Sequence, residues 1–270
     1  MKKLSIIILG QNVAEEIIPA FKTSAIADEI IYVDTYTGST DKTLEIAAKY
    51  ADKIVKSESY NFSNWRNDGA AAADGEWLLY LDSDERLTKK LAAEVLRTIN
   101  SPAHAAYTIS RYEIFLGKHL DYWPDSRVLR LIKKTSLKSW VGKLHEQPRI
   151  DGSIGELREQ MIHLSHKNLD EKLAGTIKWS RLEAELLLKS GHPPLKGWRF
   201  VRVMLTEFWT RFVKDGLWRD GTEGMIEVIY QMFSVFVSYE RLWELQRHPS
   251  LKETYVQIDK KILEDWGGKK

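Results

Sequence analysis

Across its first hundred residues the chain alternates between short apolar runs and stretches with apolar residues at helical spacing, and this rhythm leaves few folds open. Strands are expected at Leu4 to Leu9, Glu29 to Val33, Lys53 to Val55 and Trp77 to Leu81. Helices are expected between and after them, at Ala14 to Thr23, Thr40 to Tyr50, Asn64 to Ala73 and Thr88 to Ile99. Such alternation implies an α/β fold, a mostly parallel sheet flanked by helices. From Ala105 the runs shorten, at Ala106 to Arg111, Val128 to Ile132 and Gln160 to His163, which suits a smaller mixed or antiparallel addition to the sheet. Leu169 to Lys189 has helical spacing and stops at Ser190-Gly191-His192-Pro193-Pro194. Two regions are therefore expected, 1–167 and a C-terminal helical region, 168–270.

Composition narrows the function classes. Forty basic and thirty-eight acidic residues leave a net charge of +2 on 270 residues, so no global field favours nucleic acid. The absence of Cys excludes a disulfide framework, a thiolate metal site and a thiol nucleophile. Leu4 to Leu9 is too short for a signal-peptide core, and Met225 to Tyr239, broken by Glu227 and Gln231, falls short of the ~20 apolar residues that cross a bilayer. A cytoplasmic protein that does not span a membrane is expected.

Trp77-Leu78-Leu79-Tyr80-Leu81 runs directly into Asp82-Ser83-Asp84-Glu85, three carboxylates at the end of a buried strand. In open α/β sheets ligands collect at the carboxyl ends of strands, and Asp82 and Asp84 can aim oxygens at one hard cation while a diphosphate completes its shell. Taken alone, the same pair also reads as a cap for the following helix.

Five ordered segments resolve that ambiguity. Ser5-Ile6-Ile7-Ile8-Leu9-Gly10-Gln11-Asn12; Ile30 to Asp34 with Gly38-Ser39-Thr40-Asp41-Lys42-Thr43; Trp65-Arg66-Asn67; Leu81-Asp82-Ser83-Asp84-Glu85; and Trp123-Pro124-Asp125 with Arg127, Leu129-Arg130 and Trp140 to Glu146 together resemble a family 2 glycosyltransferase of the GT-A fold. The resemblance is strongest to the bacterial lipopolysaccharide-core β-glucosyltransferase group and extends to Gly216 to Trp243. It implies a UDP-hexose donor, a glycan or glycolipid acceptor and a divalent cation, Mn2+ or Mg2+.

The resemblance also implies roles. Asp82 and Asp84 become the metal ligands, with Asp84 the more direct, and Leu9, Gln11, Asp34, Arg66 and Ser83 join them around the nucleotide-sugar. Asp34 reads either as an acceptor for base or ribose or as a cap, and Arg66 either as a phosphate contact or as an exposed helix charge. Glu146, in a stretch matching the family's Gly-x-x-His-Glu pattern, is the expected general base, with Asp125 in reserve. Trp123, Arg127 and His145 are assigned to the acceptor side. His163 and His166, spaced i,i+3 with no third ligand cluster nearby, are left outside the metal set. A nucleotidyltransferase would need a Gly-rich basic loop after the first strand, which this chain lacks. A non-catalytic binding module would have no use for Asp82, Asp84 and Glu146 together.

Three departures stand out. The turn after Asp34 is two residues longer than the family's Asp-Ser-Gly-Ser-Thr-Asp, Gly10 stands where Thr is common, and Val13 stands where Glu is usual. Leu195 to Trp218 interleaves Lys196, Arg199, Arg202, Arg211 and Lys214 with six aromatic residues, a mixture that suits either an anionic membrane surface or a helical cap on the catalytic region.

Overall fold

The computed structural model describes residues 3–59, 61–142 and 146–267. The expected acceptor-side residue His145 lies outside them. The chain folds as two compact units, 1–119 with 124–165, and 120–123 with 166–270.

In the first unit, β1 (Leu4–Gly10) pairs in parallel with β2 (Glu29–Thr35), and β2 with β3 (Lys53–Ser57). On its other side β1 pairs in parallel with β4 (Trp77–Asp82). Connecting these strands are α1 (Ile17–Thr23), α2 (Thr43–Tyr50) and α3 (Phe62–Ala72). The two-residue period of β1 divides the core: Ile6 and Ile8 join Phe21, Tyr32, Leu79 and Leu81 on one face, whereas Ile7 and Leu9 join Ile31, Val33, Trp65 and Tyr80 on the other. Covering both faces is what permits near-continuous apolar strands.

After β4 come β5 (Glu85–Arg86), α4 (Lys89–Asn100), β6 (Ala106–Phe115), β7 (Lys118–His119), β8 (Val128–Lys133), β9 (Leu137–Val141), β10 (Gln147–Ile150) and β11 (Ile154–Ser165). Among the described residues the main sheet has nine strands in the order β3-β2-β1-β4-β8-β6-β11-β5, with β7 on β6, while β9 and β10 form a separate hairpin. The sheet is mixed: β8 runs antiparallel between β4 and β6, whereas β6 and β11 are parallel.

Differences from the expected boundaries have local causes. β2 runs on to Thr35 because Asp34 and Thr35 find partners in Lys56 and Ser57. α2 starts at Thr43 rather than Thr40 because the backbone N–H of Thr40 donates to Asn12 Oδ1 (2.7 Å) and Asp41 Oδ1 accepts from the Thr43 N–H (2.9 Å). The hairpin and the two-residue β5 carry too little periodicity to be anticipated.

The second unit contains α5 (Leu169–Lys189), α6 (Gly197–Phe208), α7 (Thr222–Gln246) and α8 (Leu251–Gly267), with a π-helical segment, Trp209–Lys214, after α6. Asn168 caps α5 by accepting from the Glu171 N–H (2.9 Å). Inside the unit Lys172 meets Glu227, and Thr176 Oγ1 lies 2.8 Å from Tyr230 Oη. Gly224 packs against the backbone of Leu217, leaving no room for a Cβ. Among the described residues no helix is long and apolar enough to cross a membrane.

Candidate active site

Parallel register brings the ends of three strands level, pairing Gly10 with Asp34 and Leu9 with both Val33 and Asp82. The loops that leave β1 and β2 are laced together above them. Gln11 Nε2 donates to Thr37 Oγ1 (2.8 Å) and to Gly38 O (3.1 Å), and Asn12 N–H donates to Ser39 Oγ (3.0 Å). Val13 N–H donates to Thr43 Oγ1 (2.8 Å), and Ala14 N–H to Asp41 Oδ2 (3.1 Å). The two extra turn residues are absorbed where Tyr36 (φ 60°) and Gly38 (φ 81°) take left-handed backbone. Gly10 and Val13 fit together: a Cβ on Gly10 would lie 2.8 Å from Val13 Cγ2.

Asp34, expected at the base or ribose, is 1% exposed and accepts from Ser39 Oγ (2.6 Å) and the Ser39 N–H (3.0 Å). In this structure it shapes the loop by holding Ser39.

Arg66 departs furthest from its expected surroundings. Rather than being an exposed helix charge or a free phosphate ligand, it is 2% exposed, with its guanidinium carbon 5.0 Å from the Trp140 ring centroid and 5.6 Å from that of Tyr80. Its Nε donates to Glu146 Oε1 (2.7 Å) and its Nη2 to Asp82 Oδ1 (3.1 Å), while Nη1 is buried with no hydrogen-bond partner. The neighbouring residues fix this placement. Trp65 Nε1 donates to Ser59 O (2.7 Å), and the Asn67 side chain clamps the backbone of Trp140 through both its amide atoms (3.1 and 2.8 Å). The Trp65-Arg66-Asn67 motif is thus tied physically to the segment that leads to Glu146.

Asp82 is paired with two guanidiniums. Besides Arg66, it takes Arg130 Nη2 from β8 at 2.5 Å. Burial alone would raise its pKa, but Arg130 and Arg66 outweigh burial and hold its carboxyl well below the usual carboxylate range. Arg130 also donates to Glu85 Oε1 (2.8 Å), and Glu85, fully buried, accepts from the Asp82 N–H through Oε2 (2.9 Å).

Asp84 differs. One of its oxygens, Oδ1, is buried with no partner, and Oδ2 lies 3.3 Å from His163 Nε2. An orphaned buried carboxylate oxygen fits a hard divalent cation, so of the two expected ligands Asp84 fits and Asp82 is already satisfied by guanidiniums. Among the described residues no group of three or more His, Cys, Asp or Glu could hold a metal ion. Most of its coordination shell would therefore come from a bound diphosphate and water. Ser83 Oγ lies 3.4 Å from Glu16 Oε1, and Ser83 O accepts from Arg86 Nη1 (2.6 Å).

The acceptor-side expectations divide. Asp125 is 60% exposed, accepting from Ser110 Oγ (2.5 Å) with Arg127 Nε at 3.7 Å, whereas Glu146 is 14% exposed and fixed by Arg66. Arg127 Nη1 donates to Leu157 O on β11 (3.1 Å). Trp123 belongs to the second unit, where its N–H donates to Leu120 O (3.2 Å).

Sequence reasoning gave no role to Arg130, Glu85, Glu113 or His163. Sheet register sets Glu85, His163 and Glu113 side by side across β5, β11 and β6. His163 Nδ1 lies 2.5 Å from Glu113 Oε2; burial works against its charge, yet Asp84 and Glu113 push its pKa up to about 10. A cation inside the apolar run Val128-Leu129-Arg130-Leu131-Ile132, and a histidine inside Met161-Ile162-His163-Leu164, are the signals that could have found them.

The chain is 27% identical over 237 residues to the lipopolysaccharide core biosynthesis glycosyltransferase LpsC of Rhizobium meliloti, covering 82% of this chain and 83% of that one. It is 25% identical over 280 residues to an uncharacterized glycosyltransferase of Rickettsia bellii, covering 96% and 94%. Among solved structures, S. aureus TarS 1–349 in complex with UDP-GlcNAc is similar with a TM-score of 0.46 at 14% identity, covering 94% of this chain and 92% of that one. Glucosyl-3-phosphoglycerate synthase from Mycobacterium tuberculosis, in complex with Mn2+, UDP and phosphoglyceric acid, has a TM-score of 0.45 at 15% identity, covering 71% and 80%. The family model described as glycosyl transferase family 2 matches residues 5–155, more than half of the chain, and to that family of glycosyltransferases the chain belongs.

Proposed function

We propose that the protein is an inverting, metal-dependent hexosyltransferase that moves glucose from UDP-glucose onto a cell-envelope glycan or a lipid-linked acceptor such as lipopolysaccharide core. The observation that carries this reading is the wiring of one buried guanidinium. Arg66 holds the carboxylate suited to be the base, Glu146, and the strand-end carboxylate Asp82, two residues before the partnerless oxygen of Asp84. The LpsC name, with its lipopolysaccharide core, supports the acceptor class; the motif resemblance supports the donor.

Mn2+ or Mg2+ on Asp84 would supply Lewis-acid neutralisation of charge developing on the diphosphate. Arg66 Nε–H occupies Glu146 Oε1 and leaves Oε2 to take the acceptor hydroxyl's proton as that oxygen attacks the anomeric carbon opposite the leaving diphosphate. The motif resemblance assigns Leu9, Gln11, Ser83 and the Asp34–Ser39 turn to the donor side and Arg127 to the acceptor side, with Asp125 a reserve base. An acceptor of this class places the enzyme in the cytoplasm, peripherally at the inner face of the cytoplasmic membrane.

Calorimetric titration of UDP-glucose and UDP, with and without Mn2+, into wild type and Asp84→Asn tests the reading. Metal-dependent binding that disappears in the variant is expected. Binding indifferent to both metal and mutation would overturn the assignment of Asp84.

A further inference from the structure

α6 carries two apolar faces, and the fold covers one. On the covered side Val203 is buried and the Phe200 ring packs 5.8 Å from Phe236 of α7. The other side presents Trp198, Val201 and Leu205 at helical spacing, continued by Trp209 at the start of the π-helical segment, each between 56% and 63% exposed. With Arg202 and Thr206 these residues line a shallow open groove of about 490 Å³.

Charge flanks this stripe with one sign. Residues 195–218 hold five basic side chains against two acidic ones, a surplus of three that exceeds the +2 of the whole chain. Both acids are already answered, because Arg211 pairs with Glu207 (2.8 Å) and Asp215 (3.4 Å). Lys196, Arg199, Arg202 and Lys214 make no ion pair among the described residues. Arg199 and Arg202 instead place their guanidinium carbons 5.0 and 5.8 Å from the Trp198 ring centroid. Indole rings and aliphatic side chains bordered by uncommitted cations match the layered chemistry of a bilayer interface, where acyl chains, headgroups and phosphates follow within a few ångströms. A second copy of the chain fits less well, since an isologous contact would bring the same cations against themselves.

We propose that this face of α6 docks the protein on an anionic bilayer surface, with Trp198 and Trp209 at headgroup level and Lys196, Arg199 and Arg202 on lipid phosphates. The proposal rests on the acceptor half of the reading above only for its purpose, that of holding the enzyme where a lipid-linked acceptor lies.

Flotation of the full-length protein with vesicles tests it, without donor, acceptor or metal, so that failure here is separable from failure of the donor titration. The protein should float with phosphatidylcholine–phosphatidylglycerol vesicles and not with phosphatidylcholine alone, and added salt should release it. Replacing Arg199 and Arg202 together by Gln should weaken the partition on the order of 30-fold, and Leu205→Asp should abolish it, with unchanged melting temperatures showing that both variants fold. The proposal is overturned by wild type that stays unbound to anionic vesicles, or by variants that partition as wild type does. Equal binding to both vesicle types, or a lipid-free dimer dissolved by Leu205→Asp in sedimentation velocity, would also overturn it.

Discussion

The two units handle their exceptional residues in opposite ways. In the first, charged groups are inside: Glu85 and Arg130 are buried to 0% and 4% exposure, Arg66 to 2%, and each meets an opposite charge or an aromatic face. In the second, apolar groups are outside, with Trp198, Leu205 and Trp209 more than half exposed. Looseness does not explain the second pattern, for the same unit buries Lys172 against Glu227 and wedges Gly224 onto Leu217. Buried charge is retained at a cost in desolvation, and exposed apolar surface at a cost in solubility, so each calls for a reason beyond stability. On the two proposals above, that reason is a polar substrate for the first unit and a bilayer surface for the second.

The largest effect that would sharpen this contrast is kinetic. Glu146→Gln should lower the transfer rate on the order of a thousandfold, about 4 kcal/mol, while leaving UDP affinity intact. Parallel kcat and calorimetry would show it, and an equal loss of UDP affinity would mean that Glu146 acts by steadying Asp82 through Arg66.

Next, Arg130→Met should cost about 3–5 kcal/mol in urea unfolding, because Asp82 and Glu85 lose the cation they share. A loss below about 1 kcal/mol would show water reaching the cluster and would blur the distinction between the units. Gly224→Ala should cost about 3 kcal/mol, since its Cβ would stand 1.9 Å from Leu217 O; a neutral result would mean that the seam of the second unit yields easily.

Smallest of all, Leu205→Ser and Trp209→Ser should each change stability by no more than about 0.5 kcal/mol. A cost near that of Gly224→Ala would show that this face is packed rather than open, and the comparison would break.

The parallel half of the fold was legible because its strands are apolar on both faces and its helices follow at short intervals, as at Ile6 to Leu9 and Trp77 to Leu81. α5 was legible from its apolar periodicity and the stop at Ser190 to Pro194; its Asn168 cap was not read in advance. β9 and β10 were not, being short and interrupted by polar residues. Within the site, residue types at a strand end singled out Asp82 and Asp84 as candidates, and the family resemblance alone singled out Glu146. What pairs with them was hidden, because Arg130 and His163 reach the carboxylates through antiparallel and parallel register between strands far apart in sequence. Periodicity reports the face a residue occupies; it carries no information about the strand alongside.

Because the Arg66 guanidinium touches both Glu146 and Asp82, kinetic dissection by single replacements will mislead about ownership. Removing Arg66 takes a hydrogen bond from both carboxylates, and removing either carboxylate frees the guanidinium that holds the other, so losses at these positions should not sum, and only a double-mutant cycle can apportion them. For inhibitor design the same linkage means that a molecule competing for this one guanidinium would disturb both carboxylates at a single contact.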